Sequence, residues 1–128
     1  MRVVLRGIPT CGTVKKARKW LDENGIAYEW SDLREAVPAR DKIATWMTSF
    51  GFKPMRNTSG GAYRALGDGK KQWGDVAWLD AFSADPMLLK RPILEVDGAP
   101  AAVGFRPVEW ERLLGQLGQK SVFERLAH

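Results

Sequence analysis

The chain has 128 residues, a formal net charge of +5 and a single cysteine, Cys11. Its length predicts one domain, and its composition (45% apolar, 27% charged) is typical of a globular protein. No apolar run approaches the roughly 20 residues that span a bilayer, and the amino terminus lacks a signal-peptide core. One cysteine excludes an internal disulfide, which fits a reducing compartment. We therefore expect a cytoplasmic protein with no membrane segment.

The basic charge does not by itself indicate nucleic-acid binding. Lysines and arginines are interspersed with acidic residues, and no nucleic-acid motif is present. A basic pocket for small anions explains the charge equally well. The sole histidine, His128, argues against histidine-assisted catalysis and against a Cys/His metal site. We expect no direct nucleic-acid partner, no bound cofactor and no metal.

The stretch around Cys11 carries the clearest chemical signal. An apolar run, Val3 to Leu5, precedes a tight loop and a segment with helical spacing, so Cys11 is predicted at the start of a helix. The unpaired amides there, from Gly12 and Thr13 onwards, form an anion cradle and favour the thiolate. Helix-start cysteines can have pKa values of roughly 3.5–7.5. Placement alone is equally compatible with a buried, unreactive cysteine.

The middle of the chain is predicted to be mainly helical. The first helix ends near Asn24-Gly25, and alternation from Ile26 to Trp30 predicts a second, parallel strand. A second helix is predicted from Asp41 to Gly51, and the glycine-containing stretch from Lys53 to Gly61 is predicted to be a loop. A helix with Asp75 as its N-cap should then bury three apolar residues and end before Asp85-Pro86. These residues are Val76, Leu79 and Phe82.

The last part of the chain predicts a hairpin and a closing helix. Arg91 to Val96 and Ala101 to Phe105 have strand character, and Asp97-Gly98 between them is a strong hairpin signal. The closing helix starts at Pro107 and should bury four apolar residues before ending near Gly118. These are Trp110, Leu113, Leu114 and Leu117.

The order βαβ, helices, ββα predicts an α/β protein with a thioredoxin-like fold. Its mixed four-stranded sheet should have helices on both faces, within one domain over residues 1–118 that contains a helical insertion at about 33–90. Residues 119–128 would form a short tail. Pro92, at the start of the third strand, lies where such folds place a cis-proline facing the cysteine, although the sequence does not define the isomer.

Three elements carry a resemblance to a known family. They are the loop Pro9 to Thr13, the element Lys90 to Ile93 and the element Gly104 to Pro107. Together they resemble the glutathione- and glutaredoxin-linked arsenate reductase (ArsC) family, which also contains the regulator Spx and the uncharacterised YffB-like proteins. The pattern from Cys11 to Leu21 is closest to the YffB-like group.

The resemblance implies a catalytic thiolate at Cys11, with Arg91 and Arg106 at two of the three oxyanion-binding arginines. The third arginine position falls on Asn57, with Arg56 beside it. With Gly12, Thr13 and Pro92, these two residues complete the predicted anion and substrate site. Guanidinium groups pair bidentately with oxyanions and lower the pKa of a neighbouring thiol. Without the resemblance, each arginine would be interpreted as a solvated surface residue.

Two functional hypotheses follow. The first is a glutathione-dependent thiol oxidoreductase that uses one cysteine, with glutathione as co-substrate, glutaredoxin as a partner, and arsenate or a mixed disulfide as substrate. It would be a monomer. The second is a Spx-like adaptor that binds RNA polymerase or another protein through the insertion. Trp46, Trp73 and Trp78 could supply its aromatic surface, or could simply be core. The Cys-x-x-Cys pair of Spx-type switches is absent, because Val14 replaces its second cysteine.

Overall fold

Four strands form one mixed sheet in the computed structural model, which describes residues 1–115. The strands are β1 (Val3–Gly7), β2 (Glu29–Asp32), β3 (Ile93–Val96) and β4 (Ala99–Val103), in the spatial order β2-β1-β3-β4. β1 pairs with β2 in parallel, and the β1–β3 and β3–β4 pairs are antiparallel. At the β3–β4 hairpin, Asp97 and Gly98 both have positive φ, as two-residue hairpin turns of this type require.

The helices lie between and after these strands. They are α1 (Gly12–Glu23), α2 (Arg40–Phe50), α3 (Phe52–Met55), α4 (Gly61–Ala65) and α5 (Asp75–Ala84), with α6 described over 107–115. Two 3₁₀ turns, Asp68–Gln72 and Pro86–Leu88, complete the segment between β2 and β3. Within the described residues, no helix is long and apolar enough to span a membrane.

The sheet separates two hydrophobic cores. Neighbouring strand residues point to opposite faces, so Leu94 packs with α1 and α6, whereas Ile93 packs with the inserted helices. Trp110 is fully buried in the core beneath α1 and α6, and Trp46 and Trp78 are fully buried in the core beneath the inserted helices. This arrangement confirms the predicted thioredoxin-like fold with a helical insertion.

A buried ionic cluster fastens α2 to the sheet. Glu95 on β3 is only 2% exposed and forms an ion pair with Arg6 on β1. Its Oε2 atom lies 3.2 Å from Lys42 Nζ and accepts a hydrogen bond from Trp46 Nε1 at 3.4 Å. Burial raises the pKa of Glu95, but these cations and donors lower it by more, so that the pKa lies below the ordinary value of 4.5. The carboxylate is therefore charged and links the insertion to the strand that follows Pro92.

The structure corrects several sequence-based expectations in the insertion. Asp75 is the first residue of α5 rather than its cap: Gly74 occupies the cap position, without a side-chain hydrogen bond. Val76 is 70% exposed instead of buried, because α5 directs Trp78 and Phe82, one turn apart, into the core. The predicted loop from Lys53 to Gly61 overlaps the short helix α3 at its start and the first residue of α4 at its end.

Two further differences lie at the ends of elements. β2 begins at Glu29, although Ile26 is buried as expected. On α6, Trp110 and Leu114 are fully buried, but Leu113 is 43% exposed because it lies beside the buried face rather than on it. The predictions for Leu117, for a helix end near Gly118, for a domain boundary at 118 and for the tail over 119–128 fall outside the described residues.

Candidate active site

Cys11 occupies the N-cap of α1, directly after the loop that follows β1. Its extended backbone (φ −77°, ψ 124°) precedes the helix, and its carbonyl accepts the first helical hydrogen bond from Lys15 N at 3.0 Å. The loop is closed by Cys11 N, which donates to Ile8 O at 3.2 Å. A Cβ on Gly7 would lie 2.7 Å from Val14 Cγ2, so the strand end and the helix start pack too closely for a larger residue. The predicted position of Cys11 at the start of a helix is confirmed.

The surroundings of the thiol favour its charged form. Burial raises the pKa of Cys11, but the nearby backbone N–H groups of Val14 and Thr13 lower it, as does Arg91. The net result is a pKa below that of an ordinary cysteine. Gly12, also predicted for the cradle, is the exposed first residue of the helix, with open space where a Cβ would stand. Cys11 is thus partly accessible, and its surroundings favour the thiolate.

Arg91 is the arginine that the fold brings to the sulfur. Its guanidinium lowers the pKa of Cys11 by hydrogen bonding and by its positive charge. Its Nη1 atom donates to Met87 O and Leu89 O, each at 3.3 Å. Nε is buried and has no hydrogen-bond partner within residues 1–115. The guanidinium is therefore anchored through Nη1, and Nε is left as an unused buried donor among the described residues.

Pro92 follows Arg91 and is buried. The Arg91–Pro92 peptide bond is cis, which settles the isomer that the sequence left open. Pro92 O accepts a hydrogen bond from Gly104 N at 2.8 Å, joining this segment to the end of β4. Gly104 has φ +80°, and a Cβ there would lie 3.0 Å from Lys90 Cε, so the two elements of the family pattern lie side by side.

Arg56 and Asn57 are held next to the Arg91 segment by backbone pairing. Asn57 N donates to Leu88 O at 2.8 Å, and Lys90 N donates to Met55 O at 2.7 Å. The side chains themselves are engaged within the insertion. The Arg56 guanidinium lies 5.4 Å from the centre of the Trp78 ring, and Asn57 Oδ1 accepts from Ser59 Oγ at 3.1 Å. Their role in anion binding stays a prediction.

Arg106 lies on the surface just before α6. Its side chain is 71% exposed, and Nη1 is 3.9 Å from Glu109 Oε2, a distance at the limit for an ion pair. Arg106 follows two residues after Gly104, whose N–H donates to Pro92 O. Anion binding by Arg106 also stays a prediction.

The sequence interpretation missed the residues that anchor Arg91. These are the carbonyls of Met87 and Leu89, supplied by the 3₁₀ turn after α5. Asp85-Pro86 was a visible signal there, since it marks both the end of a helix and the start of a turn. Within residues 1–115, no group of His, Cys, Asp and Glu side chains is arranged to hold a metal ion. The chemistry available to this site is that of a single thiol beside a guanidinium.

Comparison with known proteins agrees with this site. Residues 7–113 match the ArsC family. The uncharacterised protein YusI of Bacillus subtilis is 35% identical over 107 residues, covering 80% of this chain and 90% of YusI. A solved YffB protein has a TM-score of 0.79 at 33% identity, covering 86% of this chain and 96% of that one.

Two other matches bear on the functional hypotheses. A possible arsenate reductase from Streptococcus mutans has a TM-score of 0.72 at 32% identity, covering 81% of this chain and 91% of that one. The global transcriptional regulator Spx of Lactiplantibacillus plantarum is 27% identical over 114 residues, covering 88% of this chain and 86% of the regulator. The predicted resemblance is confirmed: the chain is an oxidoreductase-like member of the ArsC family.

Proposed function

We propose that this protein is a glutathione-dependent thiol oxidoreductase in which Cys11 is the nucleophile. The observation that carries the proposal is the position of Cys11 at the N-cap of a twelve-residue helix, where the nearby amides of Thr13 and Val14 and the Arg91 guanidinium lower the pKa of the thiol. A thiolate is the attacking species in thiol–disulfide exchange, and these groups stabilise it.

The proposed reaction needs one protein cysteine. The Cys11 thiolate attacks the glutathione sulfur of a mixed disulfide, forming a Cys11–glutathione disulfide and releasing the substrate as a thiolate that takes up a proton. A glutathione thiolate, or that of glutaredoxin, then attacks the glutathione sulfur of this intermediate and restores the Cys11 thiolate. The net change is a disulfide exchange: the substrate sulfur is reduced to a thiol, and the sulfur of the incoming glutathione or glutaredoxin is oxidised as it forms a disulfide with the transferred glutathione. The single cysteine of the chain is thus sufficient.

Arg91 and the α1 amides would each stabilise negative charge in this sequence. The departing and attacking sulfurs carry negative charge, and the buried Arg91 Nε is a donor without a partner among the described residues. Lys15 and Lys16 are exposed in the first turns of α1 and add positive charge that attracts the carboxylates of glutathione. These features favour a small anionic thiol as the co-substrate.

Arsenate is the second candidate substrate. Its reduction would follow attack of the Cys11 thiolate on arsenic with loss of water; glutathione would then complete the reduction to arsenite and leave a Cys11–glutathione disulfide for glutaredoxin. A tetrahedral dianion is best held by several guanidinium groups. Arg56 is stacked on Trp78 and Phe52, and Asn57 stands where the family has its third arginine. A mixed disulfide therefore fits this site better than arsenate does.

The test is an assay that couples the protein to glutathione, glutaredoxin and glutathione reductase and follows NADPH oxidation. A glutathionylated peptide and arsenate are supplied in separate reactions, with Cys11→Ser as the control. We expect a Cys11-dependent rate with the peptide and a slower one, or none, with arsenate. Equal rates for the wild-type and Cys11→Ser proteins with both substrates would refute the proposal.

The Spx relative supports the adaptor hypothesis. The tryptophans expected to form its contact surface, however, pack inside the insertion. Trp46 and Trp78 are fully buried, and Trp73 packs on Trp78 at 5.1 Å between ring centroids. An adaptor would need another surface on the insertion. A pull-down with RNA polymerase α subunit tests it: specific retention that survives Cys11→Ser would favour the adaptor over the enzyme.

A further inference from the structure

The side chain of Asp85 caps the 3₁₀ turn Pro86–Leu88, which lies between α5 and β3. The Asp85 Oδ1 atom accepts a hydrogen bond from Met87 N at 2.9 Å, and Asp85 O accepts one from Leu88 N at 3.1 Å. Pro86 occupies the first turn, where its missing N–H costs nothing. Leu89 N closes the turn by donating to Pro86 O at 3.1 Å. Asp85 is thus the side chain that caps this 3₁₀ turn.

The carbonyl groups of this turn and of Leu89 accept hydrogen bonds from two different segments. Leu88 O accepts from Asn57 N at 2.8 Å, on the side of the insertion. Met87 O and Leu89 O converge instead on one atom, Arg91 Nη1, at 3.3 Å each. Two carbonyls two residues apart can meet at one nitrogen only while the turn keeps its shape. The orientation of the Arg91 guanidinium therefore depends on the turn.

We propose that Asp85 is a positioning residue for the thiol chemistry of Cys11, because its cap holds the two carbonyls that fix the Arg91 guanidinium beside the sulfur. Asp85 acts through this turn and through Arg91. The inference deepens the proposed function, since it rests on Cys11 being the reactive thiol of the protein. It assigns a role in the site to a residue outside the three elements of the family pattern.

The chemistry of the cap gives a matched pair of variants. Asp85→Asn keeps an amide oxygen at the capping position, and asparagine caps as well as aspartate does. Asp85→Ala removes the acceptor. Asp85→Gly also removes it but suits a cap backbone better than alanine, so it replaces Asp85→Ala if that variant fails to fold. Comparing Asn with Ala or Gly separates the loss of the hydrogen bond from the loss of the negative charge.

The experiment measures the rate of iodoacetamide alkylation of the full chain against pH, with Cys11 as its one thiol. Below the midpoint of the profile, we expect Asp85→Ala or Asp85→Gly to react about threefold more slowly than wild type at the same pH, with the plateau at high pH retained. Asp85→Asn should follow the wild-type profile. In an Arg91→Ala background, Asp85→Ala should cause no further slowing, because the two residues act as one unit.

The control for general loosening is Asp97→Ala. Asp97 Oδ1 accepts from Arg2 N at 2.8 Å in the β3–β4 hairpin, at the opposite end of β1 from the Cys11 loop. This variant should leave the alkylation profile unchanged. A wild-type profile in both Asp85→Ala and Asp85→Gly would overturn the inference, as would a slowing that persists undiminished in the Arg91→Ala background. Failure of the proposed function is seen separately, as the absence of coupled NADPH oxidation by a wild-type protein whose alkylation still depends on Asp85.

Discussion

Replacing Glu95 with glutamine should weaken the attachment of the insertion to the sheet. Glu95 is 2% exposed, and the Arg6 side chain paired with it is 17% exposed, so the variant leaves a nearly buried guanidinium without its counter-ion. Breaking a buried pair costs about 3–5 kcal/mol of the free energy of unfolding. Lys42 is 38% exposed, so solvent screens its attraction to Glu95 and its loss costs little. The glutamine oxygen can still accept hydrogen bonds. We therefore expect a loss of about 3 kcal/mol.

The assay is urea unfolding followed by far-ultraviolet circular dichroism, with thermal unfolding beside it. For a chain of this size, about 3 kcal/mol corresponds to a fall in Tm on the order of 10 °C. Glu29→Gln is the matched control, because the Arg2–Glu29 pair has the same chemistry but is 66% and 57% exposed. That control should leave the Tm unchanged. A loss below about 1 kcal/mol for Glu95→Gln would refute the interpretation of a buried, charged cluster.

The pH dependence of this difference has a defined sign. The pKa of folded Glu95 lies below the ordinary value of 4.5 because Arg6, Lys42 and Trp46 outweigh the effect of burial. Its contribution to stability is therefore fully present above the unfolded pKa and is lost as the pH falls through the folded pKa. The stability gap between wild type and Glu95→Gln should be widest at neutral pH and should narrow below about pH 5.

Two other variants test the packing and the surface of the site. Gly7→Ala should lower the free energy of unfolding by about 1–3 kcal/mol, because its Cβ would lie 2.7 Å from Val14 Cγ2. Gly12→Ala, which has open space at its Cβ, should leave that free energy unchanged. Urea unfolding of both variants tests this. Arg106→Ala should leave the Tm unchanged, since the side chain is 71% exposed, and should raise the KM for the glutathionylated substrate about threefold or more if the family role holds. A lowered Tm with an unchanged KM would make Arg106 structural.

The Cys11 site was predictable because its determinants are local in sequence. The strand, the loop and the helix start follow one another within residues 3–14, and the helix-start amides come with that order. Glu95 left a signal that was not used: it is a lone acid within the apolar strand Ile93–Val96, and such a residue needs a buried partner.

Other features depend on contacts between distant segments. Periodicity assigned Val76 and Leu113 to the core, but the neighbours of a helix decide which of its flanking positions are covered. The direction of the Arg56 side chain follows from the antiparallel bridge between Arg56 and Leu89, which no local pattern encodes. The anchoring of Arg91 by Met87 O and Leu89 O is likewise visible only in three dimensions.

The most direct test of a reactive Cys11 thiolate is the pH dependence of its alkylation in wild type and in Arg91→Ala. The pKa of Cys11 is lowered by the amides of Val14 and Thr13 and by Arg91. We therefore expect the wild-type midpoint to lie below that of free cysteine, which is about 8.5. The midpoint of Arg91→Ala should be higher than that of wild type, and at a fixed pH below the wild-type midpoint this variant should react about five- to tenfold more slowly. A wild-type midpoint at or above that of free cysteine would contradict the account, because the helix start and Arg91 would then not activate the thiol.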